Sequence, residues 1–209
     1  MYDLDTKLKL ILDLYKINAI KFGKFKLKSG ILSPYYIDLR SLVYYPYLLD
    51  LTAEIFWEEL RVLNFDVVAG VPYTAMPIAT AIGLKYNQSM VFIRREKKEH
   101  GTKKLIEGDF HSNQKAVLVD DVITNGGSKL ETIAKLEDAG LIVEDIVVLL
   151  DRGEGGPELL KEKGYICHSI LTMNEIFEIL LSYKKVPKDT IEKCILFAKE
   201  TRKHFLKFN

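Results

Sequence analysis

An apolar run, Lys115-Ala116-Val117-Leu118-Val119, leads straight into two adjacent carboxylates, Asp120 and Asp121. Val122, Ile123, Thr124, Asn125, Gly126, Gly127 and Ser128 follow, and then a helical pattern begins. Two glycines let backbone N–H groups converge on an anion, Thr124 and Ser128 add hydroxyl donors, and a helix N-terminus adds a favourable dipole. The string reads as a phosphate cradle. Two carboxylates beside it would repel a bare phosphate, so the ligand must also carry hydroxyl donors or a divalent cation; a sugar phosphate with a vicinal diol has the donors. An Asp-Asp pair or a glycine-rich turn alone is common, and the specificity lies in the whole string. It is not a Walker loop, because Lys129 follows Ser128 instead of preceding it, and GxGxxG is absent.

A second candidate lies upstream. Between Ile93 and Lys115 the chain has little apolar content, and long structureless loops in compact domains are often functional lids. From Arg94 to Lys104 there are six Lys/Arg and two Glu, a local charge of +4, with His100 among them and Gly101 and Gly108 as candidate hinges. Most charge runs are simply solvated. Here the run suits a cationic lid that closes over a polyanionic leaving group such as pyrophosphate, excludes water and places donors where charge develops. A nucleic-acid patch fits less well, since no aromatic residues interleave with the charges.

These segments must be positioned by a scaffold, and the remaining pattern supplies one. Helical spacing over Asp5–Ile20 places Leu8, Ile11, Leu12, Tyr15 and Ala19 on one face. A stretch with β character, 22–39, is broken by Gly23, Gly30 and Pro34. Pro46 opens a helix to about Leu63. Strands are then expected at 66–71, 89–93, 115–119, 143–150 and 165–170, alternating with helices at 74–86, 128–140 and 156–163. Two further helices are expected near 172–183 and 188–205. Apolar strands alternating with helices predict an α/β fold with a mostly parallel central sheet covered on both faces. Ligands then sit beyond the carboxyl ends of the strands, after Val71, Ile93, Val119 and Leu150. The reading is a single domain over residues 1–209, with an N-terminal helix and hood to about 45 and a core from about 46.

Composition narrows the class. In 209 residues, apolar types make up 48% and charged types 28%, which argues against disorder. With 30 Lys+Arg against 29 Asp+Glu the net charge is +1, which argues against a dedicated nucleic-acid binder. Cys167 and Cys194 form no disulfide framework or zinc pattern. Val67 to Leu84 holds 18 residues without a charge, but Gly70, Pro72, Pro77 and Gly83 break it into a strand, a turn and a helix, not a membrane span. The N-terminus has no apolar signal segment. A cytoplasmic protein without membrane or nucleic-acid partners is expected.

The string from Asp120 to Ser128 resembles the 5-phosphoribosyl-1-diphosphate (PRPP) motif of type I phosphoribosyltransferases. Three further segments resemble the orotate phosphoribosyltransferases within that family: Phe25-Lys26-Leu27-Lys28-Ser29-Gly30 with Ser33-Pro34-Tyr35-Tyr36-Ile37-Asp38-Leu39-Arg40; Gly70-Val71-Pro72-Tyr73-Thr74-Ala75-Met76-Pro77; and the lid from Arg94 to Gly108. The resemblance runs in matching order over almost the whole chain, and is nearest to the transferase half of eukaryotic UMP synthases. Their decarboxylase barrel would need about 250 more residues, so a monofunctional chain or a fragment is expected.

What the resemblance implies is transfer of phosphoribosyl from PRPP to N1 of orotate, giving orotidine 5′-monophosphate and pyrophosphate in pyrimidine biosynthesis. It implies Mg²⁺ held mainly through substrate and water, with no firm protein metal ligand. It also implies a homodimer with shared active sites, and a decarboxylase as the associated activity. Lys28 would reach the diphosphate and orotate, and Tyr36 and Ile37 would flank the orotate ring. Tyr73 and Thr74 would meet the diphosphate. Lid residues Arg94, Lys98 and His100 would act in the partner's site and Arg95 in its own, with Lys98 the main catalytic group and His100 assisting. Asp120 and Asp121 would accept from the ribose hydroxyls. With Val122 and Ile123 completing the motif, Thr124, Asn125, Gly126, Gly127 and Ser128 would hold the 5′-phosphate, Thr124 also lying near orotate. Arg152 would clamp the orotate carboxylate, its other reading being an ion-pair partner of Glu154. Two departures stand out: Thr74 where bacterial members often have Lys, which leaves the diphosphate contacts open, and Arg95 where many have Lys. Two alternatives remain at this point: a purine or uracil phosphoribosyltransferase, and a non-catalytic PRPP-sensing regulator.

Overall fold

The computed structural model describes residues 4–27, 30–94 and 105–208, with the side chains of residues 4 and 204–208 excepted. The chain opens with α1 (Leu4–Lys16) and a hairpin of β1 (Ile20–Lys26) and β2 (Leu32–Ile37), then α2 (Pro46–Leu60) after a short 3₁₀ turn. The core follows as β3 (Val67–Gly70), α3 (Ala75–Tyr86), β4 (Met90–Ile93), β5 (Ile106–Glu107), β6 (Lys115–Ile123), α4 (Gly127–Asp138) and β7 (Ile142–Asp151). It ends with α5 (Gly156–Glu162), β8 (Ile166–Thr172), α6 (Met173–Ser182) and α7 (Lys188–Phe208).

The central sheet has strand order β5-β4-β3-β6-β7-β8. All its pairings are parallel except the outer one, β4 with β5. The strand order reverses between β3 and β6, and in open α/β sheets the crevice at such a reversal is where ligands bind. The segments that follow Gly70 and Ile123 therefore leave adjacent strands at that point.

Alternation along each strand divides the core in two. Val68, Val117, Val119, Val147 and Leu149 point to the face packed by α1, α2, α6 and the hairpin. Val67, Ala69, Leu118, Ile146 and Val148 point to the other face, with Ile133 and Leu136 of α4 and Leu160 of α5. Both faces are buried, as a parallel sheet requires. The uncharged stretch 67–84 is β3 plus α3, and among the described residues no helix is long and apolar enough to cross a membrane.

Three details differ from the sequence expectations. In α1 the buried stripe is centred on Leu10, Ile11 and Leu14, with Leu12 and Tyr15 partly buried beside it, and Ala19, also buried, belongs to the turn into β1 because the helix ends at Lys16. The approach to β6 contains β5, with Leu105, Ile106 and Phe110 packed on the second core face. Gly108, expected as a hinge, has φ +113°, and a Cβ there would stand 2.7 Å from Met90 O, so it is a tight turn against β4.

The hairpin is anchored through Tyr35. Its buried ring meets Phe177 of α6 edge-on at 5.5 Å and Phe197 of α7 at 6.0 Å. Ser33 Oγ donates to Tyr35 O at 2.7 Å. With Tyr35 facing the core, Tyr36 must face the other way.

Candidate active site

β6 does not stop where its apolar run stops. It continues through Asp120, Asp121 and Val122 to Ile123, which pairs with Asp151 of β7. The acidic pair thus lies within the strand, where alternation sends neighbouring side chains to opposite faces, and the two carboxylates differ sharply. Asp120 is buried. Its Oδ1 accepts from the Asp121 N–H at 2.8 Å, and its Oδ2 stands 2.5 Å from Lys129 Nζ. Asp121 is half-buried. Burial, then the Asp120 charge and a hydrogen bond with it, push the Asp121 carboxyl up to about 7, against the opposing pull of Lys129 and the Val122 N–H.

That shift has a definite sign. A carboxyl whose folded value is raised contributes stability that is full below its unfolded value near 4 and is lost as pH rises through the folded value. The melting temperature of the ligand-free protein should therefore fall from pH 5 to pH 8, and Asp121→Asn should flatten the fall. An unchanged slope in the variant would show that Asp121 ionises normally.

The loop from Thr124 to Ser128 joins β6 to α4. Gly126 precedes α4 with φ +80°, a conformation glycine adopts without penalty. Gly127 N–H donates to Asn125 Oδ1 at 3.2 Å. Thr124 is half-buried, while Asn125 and Ser128 are exposed at the start of α4. Behind the loop stands Gly156, which sequence reading marked only as a helix start. A Cβ on Gly156 would lie 2.6 Å from both Ile123 Cγ1 and Thr124 O. The first turn of α5 thus rests directly against the loop, a packing with no signature in the local sequence.

Around this centre the other predicted residues fall as follows. Tyr73 is exposed and Thr74 half-buried, on the turn after β3, where the Pro72–Tyr73 peptide is cis. Val71, Tyr73, Arg94, Ser128 and Lys135 line one cavity of about 490 Å³, so the structure brings the β3 turn, the root of the lid and the start of α4 together. Arg94 Nη1 donates to Glu107 at 3.1 Å and its N–H to Leu105 O at 2.9 Å, so the lid leaves and returns through the β4–β5 pair. Tyr36 is half-buried, its ring 5.6 Å from Phe25, and its Oη is 3.4 Å from Arg40 Nη2. Ile37 packs on the first core face. Arg40 grips Asp38 at 2.7 and 2.9 Å. Lys28, Arg95, Lys98 and His100 lie outside the described residues.

Arg152 follows β7, its N–H donating to Ile123 O at 3.1 Å. Its guanidinium carbon sits 5.1 Å from the Tyr35 ring centroid, and Nη2 is 2.9 Å from Glu154 Oε1, both side chains 12% exposed. The Glu154 contact is an ion pair without hydrogen-bond alignment: Arg152 Nε and Nη2 and Glu154 Oε1 are buried without an aligned hydrogen-bond partner. Buried polar atoms are rarely left so, and a planar acceptor would complete the guanidinium.

Comparison with known proteins gives the family. Residues 44–185 match the Phosphoribosyl transferase domain family. The chain is 42% identical over 193 residues to the uridine 5′-monophosphate synthase of Bos taurus, covering 91% of this chain and 40% of that protein. It is 41% identical over 174 residues to the orotate phosphoribosyltransferase of Chlamydia caviae, covering 82% of this chain and 84% of that one. The solved UMP synthase of Leishmania donovani superposes with a TM-score of 0.86 at 35% identity, over 93% of this chain and 42% of that one. The chain thus spans about two fifths of the UMP synthases it matches but most of the length of the shorter transferase. It belongs to the phosphoribosyltransferase family, among the orotate phosphoribosyltransferases.

Proposed function

We propose that the chain transfers the phosphoribosyl group of PRPP to N1 of orotate, releasing pyrophosphate and orotidine 5′-monophosphate. The observation that carries this is the half-buried Asp121 at the end of β6 running into the loop from Thr124 to Ser128, with Arg152 leaving the neighbouring strand β7, its N–H bonded to Ile123 O. The 5′-phosphate takes the α4 N-terminus and the glycine N–H groups. The ribosyl hydroxyls donate to the acidic strand end. Orotate lies under the hood between Tyr36, Ile37 and Thr124, its carboxylate toward Arg152. As N1 bonds to the anomeric carbon and pyrophosphate leaves, the ribosyl ring gains positive charge and the leaving group negative charge. The protein contributes position and electrostatic stabilisation, with Lys98 and His100 of the lid and Tyr73 and Thr74 meeting the pyrophosphate side.

Among the described residues no group of three or more His, Cys, Asp or Glu side chains is arranged to hold a metal ion. Magnesium carried on substrate oxygens and water, as is usual for that ion, fits this donor set, and when bound it offsets the charge of the diphosphate. Both cysteines are free thiols, in keeping with a cytoplasmic setting. A decarboxylase acting on the product is the associated activity this reading implies, and a homodimer with shared sites is its assembly.

The test is a reaction with PRPP, Mg²⁺ and orotate: orotate should disappear only when PRPP is present, with an equal amount of pyrophosphate formed. PRPP-independent loss, or none, would contradict the reading. One substitution probes the loop. Gly156→Ala should weaken PRPP binding about ten- to a hundredfold, because its Cβ displaces the Thr124 carbonyl and overpacking of this kind costs roughly 1–3 kcal/mol. Calorimetric affinity equal to wild type would show that the loop does not depend on α5.

A further inference from the structure

Two carboxylates beside a phosphate cradle are an electrostatic liability, and the structure holds a compensating charge that the PRPP motif does not include. Lys129, in the first turn of α4, is buried instead of solvated: its side chain is 4% exposed and that of its partner Asp120 is 5% exposed. An ammonium has three protons to place. Lys129 Nζ stands 2.5 Å from Asp120 Oδ2, donates to Val122 O, and lies 3.5 Å from Ser128 Oγ. One cation thus ties the acidic strand end, the strand exit and the helix start into a single unit. It does so against the helix dipole, which disfavours a positive charge in the first turn of a helix.

The consequence falls on Asp120. One of its oxygens faces Lys129 and the other accepts the Asp121 N–H. We propose that Lys129 is a positioning residue that holds Asp120 inside the protein as the structural half of the acidic pair, leaving Asp121 to meet the ribosyl hydroxyls. Lys129 also cancels one of the two negative charges near the 5′-phosphate, so the cradle faces a single carboxylate instead of two. The proposal rests on the reading of this loop as the PRPP site.

Four variants test it: Asp121→Asn, Asp120→Asn, Lys129→Met, and Asp120→Asn/Lys129→Met. Each is read by thermal melting and by calorimetric titration with PRPP and Mg²⁺. Asp121→Asn should lose roughly tenfold or more in PRPP affinity while staying folded. Asp120→Asn and Lys129→Met each strand a buried charge or its partner, so each should lower the melting temperature on the order of ten degrees and weaken PRPP as well. The double variant removes both charges. It should melt near wild type and recover PRPP affinity to within about threefold of wild type. If Lys129→Met alone does not fold, the double variant carries the test. The proposal is overturned if Asp120→Asn melts like wild type while losing PRPP, or if the double variant binds PRPP as poorly as Asp121→Asn. Failure of the wild-type chain itself to bind PRPP would bring down the underlying reading instead, whatever the melting pattern.

Discussion

Lys98→Ala and Asp121→Ala, each nearly inactive alone, should restore activity to one another when refolded together. The lid leaves β4 and returns through β5, the outermost strand of the sheet, two strands away from the β3/β6 crevice. Its root is held by Arg94 against Glu107 and Leu105. A twofold dimer is the commonest assembly of an oligomer, and the proposed shared site has the lid of one subunit acting on the acidic pair of the other. In a mixed dimer one site combines an intact Asp121 with an intact lid, and the other carries both defects. Random pairing makes half the dimers mixed, each with one working site, so about a quarter of wild-type activity should return if the sites are independent. No recovery, with mixed dimers shown to form, would mean that the lid works in its own subunit.

Arg152→Ala should raise the orotate KM about ten- to a hundredfold and move the PRPP KM little, since a hydrogen bond to a charged group is worth roughly 1.5–3 kcal/mol. The guanidinium is fixed from below by the Tyr35 ring and at its root by Ile123 O. Its buried Nε and Nη2 lack an aligned acceptor even with Glu154 at 2.9 Å. A carboxylate presents the planar geometry that the guanidinium fork accepts. The substitution also strands Glu154, whose carboxyl burial already raises. Arg152→Ala/Glu154→Gln removes that stranded acid. The double variant should regain thermal stability while its orotate KM stays high. Recovery of both together would assign the loss to folding and not to recognition.

Much of this site can be read directly from residue order. The string from Asp120 to Ser128 is a strand end, a loop and a helix start in the fold as in the sequence, and alternating apolar runs gave a mostly parallel sheet. What could not be read is packing between segments distant in sequence. Lys129, following Ser128 in a polar helix start, has the local pattern of a solvated lysine, and only the fold shows that it turns under the strand to Asp120. Gly156 touches the loop from more than thirty residues away, with no periodicity to betray it. The two-residue β5 is too short for any alternation to show, and its place in a charged stretch hid it. The apolar run ends at Val119 although β6 extends to Ile123. Hydrophobicity there reports burial, whereas the ladder with β7 reports backbone hydrogen bonding, and the two part company at a polar site.

The most direct test of the account is competition. Orotate, uracil and hypoxanthine are supplied together at equal concentration, with PRPP and Mg²⁺, and the ribosylated products are separated. The account predicts orotidine 5′-monophosphate as the dominant product, because of the three bases only orotate carries a carboxylate for the proposed Arg152 contact. Comparable amounts of a uracil or hypoxanthine nucleotide would contradict it.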